Sequence, residues 1–248
     1  MVLNSVVWFY CVVMYRMLLF MLYVYFFFFQ AEDGIRVLVR SRGLGDVYKR
    51  QGIFIRFDEN AVAEWEKQKA VQARSQKLEA GHRGWRNARG LDPDEGYPGI
   101  RYAMLHTFAH LLIRELALEC GYNAASIRER IYAKSDSESP MAGVLLYTAA
   151  ADSDGTLGGL VELGKPENLG RLIEQALDRA TVCSSDPLCS EHNPGVDRSL
   201  HSAACHACTF VAETSCERGN RYLDRALLVK TFEVSDTAFF VGNGGSNG

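Results

Sequence analysis

The chain has 248 residues, enough to bury the core of one or two domains. Hydrophobic residues make up 48% and charged residues 23%, which excludes a disordered or collagen-like chain, and the formal charge of −3 singles out no partner. Five of the seven cysteines fall between 183 and 216, unlike the even spread of a short secreted disulfide scaffold.

Residues 6–29 are almost wholly apolar and long enough to span a bilayer, with Arg16 as the one costly position. The next twenty residues argue against a membrane anchor. QAEDGIR (30–36) and SRGLGDVYKRQ (41–51) resemble translated sequencing-library adapter, with Val37–Arg40 filling the gap that an index would occupy. Val37 is the one departure, where the adapter gives Asp. Residues 1–51 are therefore set aside as non-native, and no membrane is expected. Removing their six Lys/Arg and three Asp/Glu from totals of 27 and 30 leaves 21 basic and 27 acidic residues, a net of −6. A zinc ion on four thiolates would add −2. Such a domain has no global electrostatic pull on DNA.

GIFIRF (52–57) alternates as a short strand. A polar helix is expected over 60–80, then a Gly- and Pro-punctuated loop over 81–99. Residues 100–120 are the clearest helix, with Leu105, Phe108, Leu112 and Leu116 at helical spacing and Gly121 as its C-cap. Asn123 is read as the cap of a further helix reaching Tyr132, with a loop after it at 134–140. The apolar run 141–151 reads as a buried strand. DSDGTLGGL (152–160) reads as a Gly-rich turn entering a short helix, and 166–180 as an amphipathic helix. A last helix is expected over 217–230 and a disordered tail over 242–248. The whole predicts an α+β (mixed α/β) domain over 52–241: a small sheet, several helices and a C-terminal zinc-binding segment.

The cysteines run C-x5-C-x15-C-x2-C-x7-C. Thiolates are soft, charged ligands suited to tetrahedral zinc, and a C-x2-C knuckle aims two sulfurs at one ion from a single turn. Cys205, Cys208 and Cys216 are taken as members, with Cys183 and Cys189 contesting the fourth place and His192, His201 and His206 as substitutes. Four thiolates leave no open position, so the site is expected to be structural. An iron–sulfur cluster is the minor rival.

Other sites are weaker. HTFAH puts His106 and His110 one turn apart, but Thr107 stands where a zincin needs Glu. Arg114 continues that stripe. These three are candidates for contact with nucleic acid or a partner, weighed against histidines simply hydrogen-bonded in the core. Arg218, Arg221 and Arg225 would share one face of the last predicted helix and could meet phosphate. Glu217 and Asp224 interleave, which suits a solvated face equally. Arg83, Arg86 and Arg89 with Trp85 form a second basic and aromatic patch, where His82 and Trp85 could instead pack the loop down. DSDGTLGGL offers backbone N–H groups, yet Asp152 and Asp154 repel phosphate. It also lacks the Gly-Lys-Ser/Thr ending of a P-loop, so no nucleotide site is expected there.

Residues 204–228, with C-x2-C, a later cysteine and the N-x-x-LD ending, resemble the C-terminal module of superfamily-2 DNA-repair helicases of the MrfA type. PGIRY (98–102), LHTFAHLLI (105–113), ECGY (119–122), SIRERIY (126–132), SDGTLGGL (153–160), SSDPLC (184–189) and ETSCE (213–217) are closer still to the DrmB family of the DISARM anti-phage system. The resemblance covers nearly all of 52–230. It implies a zinc-binding accessory module in the cytoplasm, non-catalytic by itself, that works with a DrmA-like superfamily-2 helicase and through it on DNA. It also implies a C-terminal fragment of a longer protein. Two alternatives are a metal-dependent hydrolase using His106, His110 and Asp154, and a purely structural zinc interaction module.

Overall fold

A three-stranded antiparallel sheet carries the molecule in the computed structural model, which describes residues 23–29, 50–121, 123–136, 138–148, 159–197 and 199–240. Strand β2 (Arg50–Arg56) pairs with β4 (Met141–Thr148), and β4 pairs with β3 (Ile127–Lys134). A further strand, β1 (Tyr23–Phe29), lies antiparallel on the free edge of β2, giving the order β1-β2-β4-β3. An apolar, aromatic run pairs readily with any open sheet edge, whatever its origin. No helix among the described residues is long and apolar enough to cross a membrane. The tail at 242–248 lies outside the described residues.

The inner face of the sheet is set by the alternation of its strands. Ile53 and Ile55 of β2 stand opposite Leu146 and Val144 of β4, and all four are fully buried. On β3 the same rule turns Ile127, Glu129 and Ile131 inward and Arg128 and Arg130 outward. This corrects the helix expected from Asn123 to Tyr132: only Ala124–Ser126 form a 3₁₀ turn before β3 begins. The sequence hides the period of two because the middle inward position is a glutamate.

Helices α1 (Glu59–Glu66) and α2 (Lys69–Asn87) replace the single helix expected over 60–80. Asp58 caps α1, accepting from the Ala61 N–H at 2.8 Å. α2 runs on through Gly81 and Gly84, into the stretch expected to be loop. Gly81 serves packing there: a Cβ on it would lie 2.6 Å from Pro194 Cβ, in the short helical turn Pro194–Asp197.

α3 (Ile100–Cys120) is the central element, closed by Gly121 in the left-handed conformation as expected. Through Ile113 burial extends around the whole helix beyond the predicted stripe: Arg101, His106, Thr107 and His110 are buried with the leucines. The sheet covers one side. After the short helix α4 (Gly159–Leu163), the amphipathic helix α5 (Pro166–Ala180) covers another side with Leu169, Leu172, Ile173, Ala176 and Leu177. Arg101 is satisfied by Glu59, by Glu66 and by the carbonyl of Lys134 at 2.9 Å.

The helix expected over 217–230 does not form. Positive φ at Gly219, Asn220 and Tyr222 breaks the segment, leaving only a 3₁₀ turn at Arg225–Leu227. Leu223, Ala226, Leu227 and Leu228 are buried on all sides, which one helix face would not allow. Phe239 and Phe240 pack on Phe57, and Trp65 donates to the Thr237 carbonyl at 2.8 Å.

Candidate metal centre

Four cysteines converge where α5 ends. Cys183 lies just beyond that helix, and Cys189 sits in a 3₁₀ turn (Pro187–Glu191) capped by Asp186, whose carboxylate accepts from the Leu188 N–H. Cys205 and Cys208 form the knuckle, closed by the Thr209 and Phe210 N–H groups on the Cys205 carbonyl, both at 3.0 Å. The sulfur pairs 183–205, 189–208 and 205–208 are each 3.6 Å apart. Zinc–sulfur bonds of about 2.3 Å in a tetrahedron put sulfurs about 3.8 Å apart, so the cluster fits zinc. The separations are far too long for disulfides, and Cys183, Cys189, Cys205, Cys208 and Cys216 are free. Hydrogen bonds from Cys189 and Thr209 pull the Cys208 thiol down to about 4, against the effect of burial. The same hydrogen bond pushes the Cys189 thiol up.

Arg114 docks this knuckle on α3. Its guanidinium donates to the carbonyls of Ala207 at 2.6 Å, Phe210 at 2.9 Å and His206 at 3.4 Å. The residue expected to reach a partner is thus used inside the fold. His192 and His201 stack at 4.5 Å, and His201 and His206 both lie against Phe210. None of the three enters the four-sulfur cluster.

Cys216 is elsewhere, which corrects its place among the expected zinc thiols. Both Cys183 and Cys189 join the knuckle, so neither displaces the other. Cys216 meets His106, His110 and Glu129 in a second cluster whose ligand atoms all lie within 4.8 Å of one another. His106 Nε2 is 2.9 Å from Glu129 Oε1 and 3.1 Å from Cys216 Sγ, and His110 Nε2 is 3.4 Å from Glu129 Oε1. Both histidines are fully buried, so they cannot touch nucleic acid or a partner while the fold is closed. Burial raises the Glu129 carboxyl, but the charge and hydrogen bond of His106 outweigh it and hold the group well below the usual carboxylate range. Spacing on α3 pointed to the histidine pair. Nothing in the sequence around Glu129 marked it as inward-facing.

The other basic candidates part company. Arg225 is buried and donates to the Ala180 carbonyl at 2.7 Å and the Thr181 carbonyl at 3.1 Å, closing the end of α5. Arg218 and Arg221 remain exposed, over the rings of Tyr102 and Trp85. In the second patch Arg83 pairs with Asp94, Arg86 with Glu95, and Arg89 lies 3.9 Å over Trp85. His82 ties that loop down through the Tyr222 hydroxyl at 2.8 Å and the Glu95 carbonyl at 3.0 Å. Asp152 and Asp154 lie outside the described residues.

A free-thiol tetrad at zinc spacing, pinned to a buried helix, defines a zinc-binding module. The MrfA Zn-binding domain matches residues 108–209, a span that holds all four clustered cysteines. Zinc is the metal of this module. The chain is also 46% identical over 193 residues to a DISARM protein DrmB of Bacillus paralicheniformis, covering 77% of this chain and 34% of that relative. It thus spans about a third of the length of the relative it matches. The DrmB-like and MrfA-type resemblance drawn from the motifs holds.

Proposed function

We propose that the chain is a zinc-stabilised accessory module of a DISARM-type anti-phage system, non-catalytic by itself, working through a DrmA-like superfamily-2 helicase on DNA. Cys183, Cys189, Cys205 and Cys208 hold the zinc. The observation that carries this reading is the closed tetrad, which leaves no coordination position for substrate, in a chain similar to a DISARM protein. Residues 1–51 are non-native in this reading, and the free thiols suit a reducing cytoplasm. Arg218 and Arg221, the exposed members of the basic set, are the candidates for phosphate contact. The hydrolase reading draws no support from His106 and His110, which are buried against Glu129 and Cys216.

Co-expression with the helicase of the same genomic locus tests the proposal. The two chains are expected to co-purify, and the complex to bind DNA. The net charge of −6 over 52–248 predicts weak DNA binding by this chain alone at physiological salt. No association with the helicase, or tight salt-resistant DNA binding by this chain alone, would overturn it.

A further inference from the structure

The cluster of His106, His110, Glu129 and Cys216 is organised as a second metal site. The two histidines stand one turn apart on α3, the carboxylate comes from the inner face of β3, and the thiol comes from the loop after the knuckle. Each supporting contact sets a ligand atom for a cation. His110 Nδ1 lies 3.1 Å from the Thr209 carbonyl, so it carries the proton and leaves Nε2 as a bare lone pair facing the cluster. Cys216 Sγ accepts from the backbone N–H of Asn220 at 3.2 Å and of Arg218 at 3.4 Å, which fixes the sulfur in place. Asn220 is itself fixed by a reciprocal pair of hydrogen bonds to Val211. That gives the asparagine of the N-x-x-LD motif a role in shaping the Cys216 loop.

Without a cation these atoms conflict. His106 Nδ1, His110 Nε2 and Glu129 Oε2 are buried and have no hydrogen-bond partner, and the last two face the cluster. A bare nitrogen lone pair and a carboxylate oxygen 3.4 Å apart repel each other inside a dry core. A dication removes the conflict. Two neutral imidazoles, one carboxylate and one thiolate around a doubly charged ion sum to zero charge, as full burial demands. The alternative is a protonated His106 paired with Glu129, which leaves His110 Nε2 unsatisfied. A mixed nitrogen, oxygen and sulfur donor set of four suits zinc.

We infer that His106, His110, Glu129 and Cys216 bind a second, structural zinc ion that joins α3, β3 and the Cys216 loop. The matched zinc-binding domain begins after His106 and ends before Cys216, so this site straddles both of its limits. The ion fastens the C-terminal loop to the helix that supports the first cluster.

The test is zinc content per chain, by elemental analysis and native mass spectrometry, after loading with zinc and exchange into metal-free buffer. Two ions are expected in the unaltered chain, and one in His110→Gln. Cobalt-loaded His110→Gln should keep the intense sulfur-to-cobalt bands of a four-thiolate site. One ion in the unaltered chain overturns the inference, whether or not the variant folds. So do two ions in folded His110→Gln. Helicase association is measured separately, so loss of the accessory-module reading would leave this result standing.

Discussion

The two clusters are built on opposite plans. The four-cysteine tetrad draws its ligands from one short stretch, 183–208, made of turns and partly exposed at Cys205 and Cys208. The second cluster joins a helix, a strand and a loop, with His106 and Cys216 separated by 110 positions, and all four members are buried. In the first region the metal substitutes for a core that the local sequence cannot make. In the second the core already exists, and the polar groups inside it require an explanation. Local metal sites are therefore legible as spacing, whereas sites assembled by tertiary structure are not.

Variants can break this contrast. Cys208→Ala should have the largest effect, because structural zinc supplies roughly 10–16 kcal/mol of apparent binding energy. Protection from hydrogen exchange should vanish over 183–209 while α3, the sheet and the Cys216 loop keep theirs. An intact metal site in this variant would contradict the ligand assignment. Chelation of the unaltered chain should produce the same loss over the tetrad and should also loosen the Cys216 loop, because it strips both clusters.

Asp224→Ala comes next. This carboxylate is fully buried, accepts from Arg74 Nε at 2.7 Å and Nη2 at 3.1 Å, and caps the 3₁₀ turn at Ala226. Stranding the Arg74 guanidinium should cost about 3–5 kcal/mol in chemical denaturation. Both clusters should feel it, since the segment bearing Asp224 adjoins each. Arg114→Met should be milder, about 1–3 kcal/mol, by leaving knuckle carbonyls short of a donor while zinc stays bound. Arg221→Ala, whose guanidinium lies 5.4 Å over an indole at the surface, should change stability by no more than about 1 kcal/mol.

Much of the framework was legible in the sequence. The α+β class, the strand at 52–57, the long helix ending at Gly121 and the amphipathic helix from Pro166 all form. The failures share a cause, which is that tertiary burial reversed the local signal. Glu129 sits in the inner row of β3 between two isoleucines, so its alternation read as helix. Arg225 and Asp224 looked like a solvated helix face, yet they are buried and serve α5 and α2. Gly81 and Gly84 looked like loop punctuation, but Gly81 makes room for Pro194. Cys216 follows the knuckle closely in sequence, but Asn220 and the turns around it aim the sulfur at α3.

The central claim is that Cys183, Cys189, Cys205 and Cys208 alone hold the zinc of the matched module. X-ray absorption at the zinc edge of the His110→Gln variant tests it most directly. The account predicts a shell of four sulfurs at about 2.3 Å with no nitrogen. A shell mixing sulfur with imidazole nitrogen would contradict it.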